Sequence, residues 1–412
     1  MKVLFIHQNF PGQFKSLAPA LVDAGHTVLA TTNKKPPGSL WKGVKLVPYQ
    51  INRTNSPNLH PWLVDFESKV IRAEACFSIA EKLKQQGFYP DVIVAHYGWG
   101  ENLFLRDVWP DSKIGVYCEF FYHSQGYDVG FDPEFMPAQK SDYCRIRLKN
   151  TAGLLSFQTA DAGISPTHWQ ASSYPEPFKS KITVVHDGID TVRVAPDPEV
   201  SVTLGGNLCL SRRDEIITFV ARDLEPYRGY HTFMRALPNI LRERPEAQIL
   251  IIGADGVSYG AEPTHGKSWR DTFADEVRPR IQDSDWSRVH FLGLIPYPQF
   301  ISVLQLSTVH VYLTYPFVLS WSLLEAMSAG CSIVASDTAP LHEVIEHDRT
   351  GRLTNFFDAQ SLAREICSLL EDREKRYQLG KNARAFARET YDLNSICLPK
   401  QIAWVESLMA NK

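Results

Sequence analysis

The 412-residue chain has little cysteine: Cys76, Cys118, Cys144, Cys209, Cys331, Cys367 and Cys397 are scattered along it. No CxxC pair occurs, so neither a zinc site nor a dithiol redox site is indicated. An odd, dispersed set suits reduced thiols in a cytoplasmic protein. No uncharged apolar run approaches the ~18 residues of a membrane-spanning helix. The N-terminal run Val3–Ile6 is too short for a signal-peptide core and reads as the first strand of a sheet. Charge of one sign is missing too. The 43 Lys+Arg stand against 46 Asp+Glu, a formal net charge of −3, which argues against a nucleic-acid partner. There is no GxGxxG turn of the kind dehydrogenases use and no GxSxG nucleophile elbow. What is present is 44% hydrophobic residues, enough to bury a core and exclude disorder.

Short apolar runs alternate with amphipathic stretches. Val3–Ile6, Thr27–Ala30, Val92–Ala95, Ile114–Tyr117, Gly163–Ser165 and Ile182–Val185 read as buried strands, with helices such as Phe14–Ala24 and Lys69–Gln86 between them. A second series has strands Ile216–Ala221, Gln248–Gly253, Val289–Leu292, Val309–Leu313 and Ser332–Ala335. Its helices are Phe233–Arg244, Trp321–Ala329 and Leu362–Leu370. Two such series predict an α/β protein of two doubly wound parallel-sheet domains, residues 1–194 and 195–381, followed by a helical tail, 382–412. The boundary falls in Ala195–Leu210, where Ala195-Pro-Asp-Pro-Glu and Gly205-Gly206-Asn207 break regular structure. Ligands of paired α/β domains bind at the carboxyl ends of the strands, so a site in a cleft between the domains is expected.

Several positions at those strand ends carry chemistry. Gly12, between the first strand and first helix, would let backbone N–H groups approach a phosphate; the alternative is a plain tight turn. Arg222 and Arg228 follow strand Ile216–Ala221, where forked guanidinium groups can clamp a diphosphate. The alternative is pairing with Asp223 and Glu225. The helix start at Ser320, Trp321 and Ser322 offers free N–H groups to an anion. Glu325, one turn in on an apolar helix, needs a partner: a ribose diol, or a nearby Arg or Lys. His96 and Glu119 each follow a strand, and Phe120-Phe121-Tyr122-His123 lines a pocket or packs. Asp283-Ser-Asp285 spells a metal-ligating DxD but stands before a strand, and reads as a solvated loop. So does Lys34–Lys45, with Pro36-Pro37 and Trp41, the alternative being a membrane-surface or acceptor loop.

The ordered set of motifs carries a resemblance. His7-Gln-Asn-Phe-Pro-Gly-Gln-Phe, Val185-His-Asp-Gly-Ile-Asp190, Arg222…Arg228-Gly229 and Leu323-Leu-Glu-Ala-Met-Ser-Ala-Gly330 together resemble the family 4 (group 1) glycosyltransferases, in a bacterial-type subgroup. The resemblance implies the GT-B fold of two Rossmann-like domains, with the tail crossing back to the N-terminal one. It implies transfer of a sugar from a UDP- or GDP-type nucleotide-sugar donor to a glycan, lipid-linked or small-molecule acceptor, with retention and without a metal or other cofactor. It implies work in polysaccharide biosynthesis, in the cytoplasm or at the inner face of the membrane. By the same resemblance Gly12, Arg222 and Arg228 face the donor phosphates. Ser320–Ser322 stand beside them, Glu325 holds the ribose, and Leu292–Ile295 edges the nucleobase. Two positions depart from the family pattern. Phe317 stands where a Glu usually touches the donor sugar, and Cys118-Glu119 stand where an active-site His is usual. Glu119 is the expected substitute, with His96 and His123 as alternatives. The other readings are a UDP-sugar epimerase or hydrolase of the same fold, and a nucleotide-sugar-binding protein with impaired catalysis.

Overall fold

The structure, a computed structural model, describes residues 1–34, 38–263 and 266–410. Lys35, Pro36 and Pro37 of the lysine-rich stretch lie outside the described residues. The chain divides into two compact α/β units.

The first unit comprises residues 1–125, 139–188 and Leu393 onward. Its strands are β1 (Lys2–Ile6), β2 (Thr27–Thr32), β3 (Leu40–Trp41), β4 (Val44–Pro48), β5 (Val92–His96), β6 (Lys113–Tyr117), β7 (Ala162–Ser165) and β8 (Ile182–Val184). Among the described residues they form one sheet in the order β3-β4-β2-β1-β5-β6-β7-β8. All neighbours are parallel except β3 and β4. The strands read as unbroken apolar runs because both faces are covered. Val3 and Phe5 point into a core with Phe14, Leu17 and Trp404. Leu4 and Ile6 point the other way, toward Cys76 and Leu83 of the helix Val64–Gln85. Trp404 belongs to the last helix, Leu398–Ala410. A Cβ on Gly115 of β6 would lie 2.6 Å from the Trp404 ring, so glycine lets this helix reach the sheet.

The second unit comprises Gly126–Ala138 and Ile189–Asp392. A hairpin of β9 (Ser201–Leu204) and β10 (Leu208–Ser211) precedes the main sheet. That sheet has β11 (Ile216–Asp223), β12 (Gln248–Ala254), β13 (Val289–Gly293), β14 (Val309–Tyr312), β15 (Ser332–Ser336) and β16 (Arg352–Thr354). Its order is β13-β12-β11-β14-β15-β16, all parallel. The segment Gly126–Ala138 is fastened to this unit by its acids. Tyr227 and Tyr315 donate their hydroxyls to Asp128 Oδ2 and Asp132 Oδ2, each at 2.6 Å. His231 Nε2 stands 3.4 Å from the same Asp132 oxygen. Arg235 forks onto both oxygens of Glu134 at 2.6 and 2.7 Å. Phe131 packs on Tyr315 and Phe356, and Phe135 on His231 and Phe273.

Four local expectations are corrected. Gly205-Gly206-Asn207 does not sit in a structureless linker; it is the turn of the β9–β10 hairpin, where both glycines take positive φ. Lys34–Lys45 is not all loop, since Leu40–Trp41 pairs back on β4. Asp283-Ser-Asp285 forms one exposed helical turn, Asp283–Trp286, instead of a loop. The tail is not one helix: Arg373–Tyr391 ends at Asp392, and Leu398–Ala410 follows a π-type turn at Leu393–Cys397.

Candidate active-site residues

In the first unit the residues that follow β1, β5 and β6 come together. His7 follows β1 directly. Its Nδ1 accepts the Asn9 N–H at 3.0 Å, which leaves the neutral ring's proton on Nε2. That Nε2 donates to Gln13 Oε1 at 2.8 Å. The Gln13 amide is thereby oriented, and its NH2 points at Glu119 Oε1, 3.4 Å away. Burial, and the His96 ring beside it, push the pKa of His7 down to about 3, so it works as a neutral donor.

His96, the last residue of β5, repeats the device. Its Nδ1 accepts the Gly98 N–H at 3.1 Å, and its buried Nε2 stands 3.6 Å from Glu119 Oε2. The ring is held by stacking on Trp99, with centroids 4.0 Å apart. Two imidazoles with fixed tautomers thus address one carboxylate, one of them through Gln13. Glu119 remains partly open to solvent, its side chain 36% exposed.

Gly12 has a physical role in this cluster. Its φ is +48°, and a Cβ there would lie 2.3 Å from the His7 ring. Cys118 faces the apolar core, and burial raises its thiol pKa. His123 is bound to the Ser173 carbonyl at 2.7 Å. Phe120 packs on Trp169, and Phe121 on Phe157 and Tyr174.

In the second unit, Arg222 sits in the irregularity between Val220 and Asp223 of β11, with its side chain exposed. Arg228 closes the short turn Pro226–Arg228 and is buried. Its Nη1 donates to Thr314 Oγ1 at 2.7 Å, to the Val318 carbonyl at 3.0 Å and to the Tyr312 hydroxyl at 3.4 Å. Its guanidinium lies over the Tyr259 ring at 5.2 Å. Among the described residues neither arginine forms an ion pair with Asp223 or Glu225. Asp223 accepts the Ser258 hydroxyl, and Glu225 accepts the backbone N–H groups of Ser258, Tyr259 and Gly260 at 2.9–3.4 Å. Gly229 takes φ +68°, and a Cβ there would sit 2.3 Å from Leu313. Only glycine lets the chain turn from Arg228 into the helix Tyr230–Glu243.

The helix Trp321–Ser328 is capped by Ser320, whose Oγ accepts the Ser322 N–H at 3.3 Å. The Ser320 N–H is directed to the Tyr312 hydroxyl at 2.8 Å, so the N–H groups of Ser320 and Ser322, expected to be free, both have acceptors within the chain. Arg228 and this helix start therefore share Tyr312. Glu325 is buried one turn further on and accepts the Tyr297 hydroxyl at 2.6 Å. Leu292 lies on β13, packed against the core. Phe317 is buried edge-on to Tyr227 and Tyr259, at 5.2 and 5.1 Å.

So Gly12, His96 and Glu119 are gathered in one unit. Arg228, Ser320, Ser322 and Glu325 are gathered in the other, with Arg222 on β11 and Leu292 two strands away on β13. Sequence reasoning gave no role to His7, Gln13, Tyr297, Tyr312 or Thr314. His7 was open to the strand-end argument that flagged His96. Tyr297 and Thr314 carry no local signal, because they matter only through partners distant in sequence. Among the described residues, no three His, Cys, Asp or Glu side chains are grouped to hold a metal ion. No helix there is long and apolar enough to cross a membrane.

Residues 24–194 match the sequence family described as "Glycosyl transferase family 4 group", and residues 210–386 match "Glycosyl transferases group 1". A D-inositol 3-phosphate glycosyltransferase of Corynebacterium efficiens is 21% identical over 317 residues, 75% of this chain and 70% of that protein. The phosphatidyl-myo-inositol mannosyltransferase of Mycolicibacterium smegmatis is 28% identical over 217 residues, 52% of this chain and 48% of that protein. The chain spans 66–70% of the length of the four inositol-phosphate enzymes of this kind that it matches in Corynebacterium species. Sucrose-phosphate synthase from Thermosynechococcus elongatus superposes with a TM-score of 0.72 at 19% identity, covering 100% of both chains. Anabaena HepE, solved with UDP and glucose, superposes at 0.65 with 16% identity and covers 99% of each. At such identities the structural likeness establishes the fold.

Proposed function

We propose that this chain, which belongs to the family 4 (group 1) glycosyltransferases and has their GT-B fold, moves a sugar from a nucleotide diphosphate-sugar to an acceptor hydroxyl. The observation that carries the reading is the grouping in the second unit: a buried arginine, a serine-capped helix start and a buried carboxylate one helical turn away. A nucleoside diphosphate offers each its complement. Arg228 and the positive end of the helix Trp321–Ser328 meet the phosphates, Arg222 adds charge from the edge, and Glu325 takes the ribose diol. Leu292 would edge the base. Departure of the diphosphate is stabilised by the guanidinium groups and helix N–H groups, without a metal.

The first unit supplies the sugar and acceptor side. Its carboxylate, Glu119, orients the acceptor hydroxyl or steadies positive charge on the sugar ring. Gln13 and His96 hold it for that task, and Gly12 gives the loop the room to do so. Transfer proceeds by same-face attack with retention, the leaving phosphate oxygen taking the acceptor proton. The acceptor classes of the relatives, inositol phosphate and phosphatidylinositol, make a polyol or lipid-linked hydroxyl the first choice. Peripheral work at a membrane fits such an acceptor.

One observation favours a second reading, a donor-binding protein with impaired catalysis: Phe317 is packed among aromatics where an acid would meet the donor sugar. A panel of UDP-, GDP- and ADP-sugars with polyol, glycan and lipid acceptors separates the two. Release of nucleoside diphosphate that depends on acceptor and persists with chelator is expected. Tight donor binding with no turnover would favour the second reading, and a strict Mg²⁺ or Mn²⁺ requirement would refute the metal-free step.

The Tyr297 hydroxyl bonds to Glu325 and competes with the ribose for it. Tyr297→Phe should therefore tighten nucleoside diphosphate binding by about three- to tenfold, since one hydrogen bond contributes ~0.5–1.5 kcal/mol. Calorimetric titration reads this directly. Weaker binding would mean that Tyr297 supports the site instead of blocking it.

A further inference from the structure

A second charged site lies at the opposite, amino-terminal edge of the second unit's sheet. A cavity of about 530 Å³ opens there, lined by Arg212, Arg373, Arg376, Lys381 and Arg384 and by no acidic residue. Its floor is formed where β14 and β15 begin, at Ser307, Thr308 and Ser332. Among the described residues none of the five cations forms an ion pair. The nearby acids Glu215 and Asp372 pair directly with Arg244 and the Lys375 N–H and reach Arg376 only at longer range.

Part of this charge has a structural use. Helices of a parallel α/β sheet end at the amino edge of its strands, where their last carbonyls carry negative partial charge. Arg212 donates to the Gln305 carbonyl, Arg376 to the Leu369 and Leu370 carbonyls, and Arg384 to the Ser328 and Val194 carbonyls. Three helix ends supply roughly −0.5 charge each, against five full positive charges on the cavity wall. The excess is left to an outside anion. Burial lowers the pKa of Arg376, against the attraction of Glu215, and burial with Arg388 nearby lowers that of Arg384. Ser332, 3% exposed, lines the cavity, and its hydroxyl has no hydrogen-bond partner.

We infer that this cavity is a binding site for a phosphate group, separate from the donor phosphates that Arg228 and Ser320 would hold at the other edge of the same sheet. The phosphate is free inorganic phosphate or the headgroup of an anionic lipid. Both offer a compact anion whose oxygens match guanidinium forks and a hydroxyl.

The test uses the full chain and the double variant Arg373→Gln/Lys381→Gln. These two side chains are exposed and make no hydrogen bond to the rest of the described chain, so the fold should survive. Inorganic phosphate, compared with chloride at equal ionic strength, should raise the wild-type melting temperature by about 2–4 °C. Calorimetric affinity for phosphate should fall by about tenfold or more in the double variant. Retention of nucleoside diphosphate binding in that variant separates this site from the donor site. In a parallel arm, phosphatidylglycerol vesicles sediment the wild type. Loss of sedimentation in the variant, without a phosphate effect on the soluble protein, identifies the lipid as the source. Equal responses of wild type and variant to phosphate and to vesicles overturn the inference, as does a phosphate effect no larger than that of chloride (an adventitious ion only).

Discussion

Arg228→Ala should reduce sugar transfer by about 10²–10³-fold, the range seen when one preorganised donor to a developing negative charge is removed. Nucleoside diphosphate affinity should fall with it, by about tenfold or more, since hydrogen bonds to charged groups contribute ~1.5–3 kcal/mol. The residue is buried among Tyr312, Thr314 and Val318, so part of the effect could come from a disturbed strand end. Arg228→Lys resolves this. It keeps the charge but loses the planar guanidinium, which rests on Thr314 and Val318 through Nη1 alone. Intermediate nucleotide affinity in the lysine variant, with unchanged melting temperature in both, assigns the effect to phosphate binding. Wild-type nucleotide affinity in the alanine variant would sink the clamp.

The second large effect is at Glu119. Glu119→Gln keeps the size but removes the negative charge and one of the two acceptor oxygens that Gln13 and His96 address, and should lower kcat by about 10²-fold or more. Donor affinity should change little, because the donor phosphates and ribose are assigned to other side chains. Gln13→Leu should follow the same pattern more weakly. It severs the path from His7 to Glu119 while leaving His96 in place. A variant of Glu119 with near-normal turnover would return this carboxylate to a structural role. A loss confined to KM for the donor would move it to donor binding.

The fold was largely legible because buried parallel strands announce themselves as short apolar runs, and Val3–Ile6 or Ile216–Ala221 needs no other information. The β9–β10 hairpin was not. Ser201–Leu204 and Leu208–Ser211 are half-exposed, and their glycine turn looks like a linker when read without its partner strands. At the site, position was legible and partnership was not. Arg228 and Glu325 could be flagged from a strand end and an apolar helix face. That Arg228 reaches Thr314 and that Glu325 takes Tyr297 depends on contacts 86 and 28 residues apart. The membership of Gly126–Ala138 in the second unit was equally hidden, since Asp128 and Asp132 look like loop acids until Tyr227 and Tyr315 are placed beside them.

That segment also limits how such a chain can be recombined. The chain changes unit at Gln125/Gly126, Ala138/Gln139, Gly188/Ile189 and Asp392/Leu393. A single crossover near residue 188, the obvious place to exchange halves between relatives, would leave Gly126–Ala138 from one parent against Tyr227, His231, Arg235 and Tyr315 from the other. Two phenols and an imidazole would then depend on acids they were not selected with. The second unit is therefore a discontinuous module. It consists of residues 189–392 together with an acidic clip borrowed from the other half of the gene.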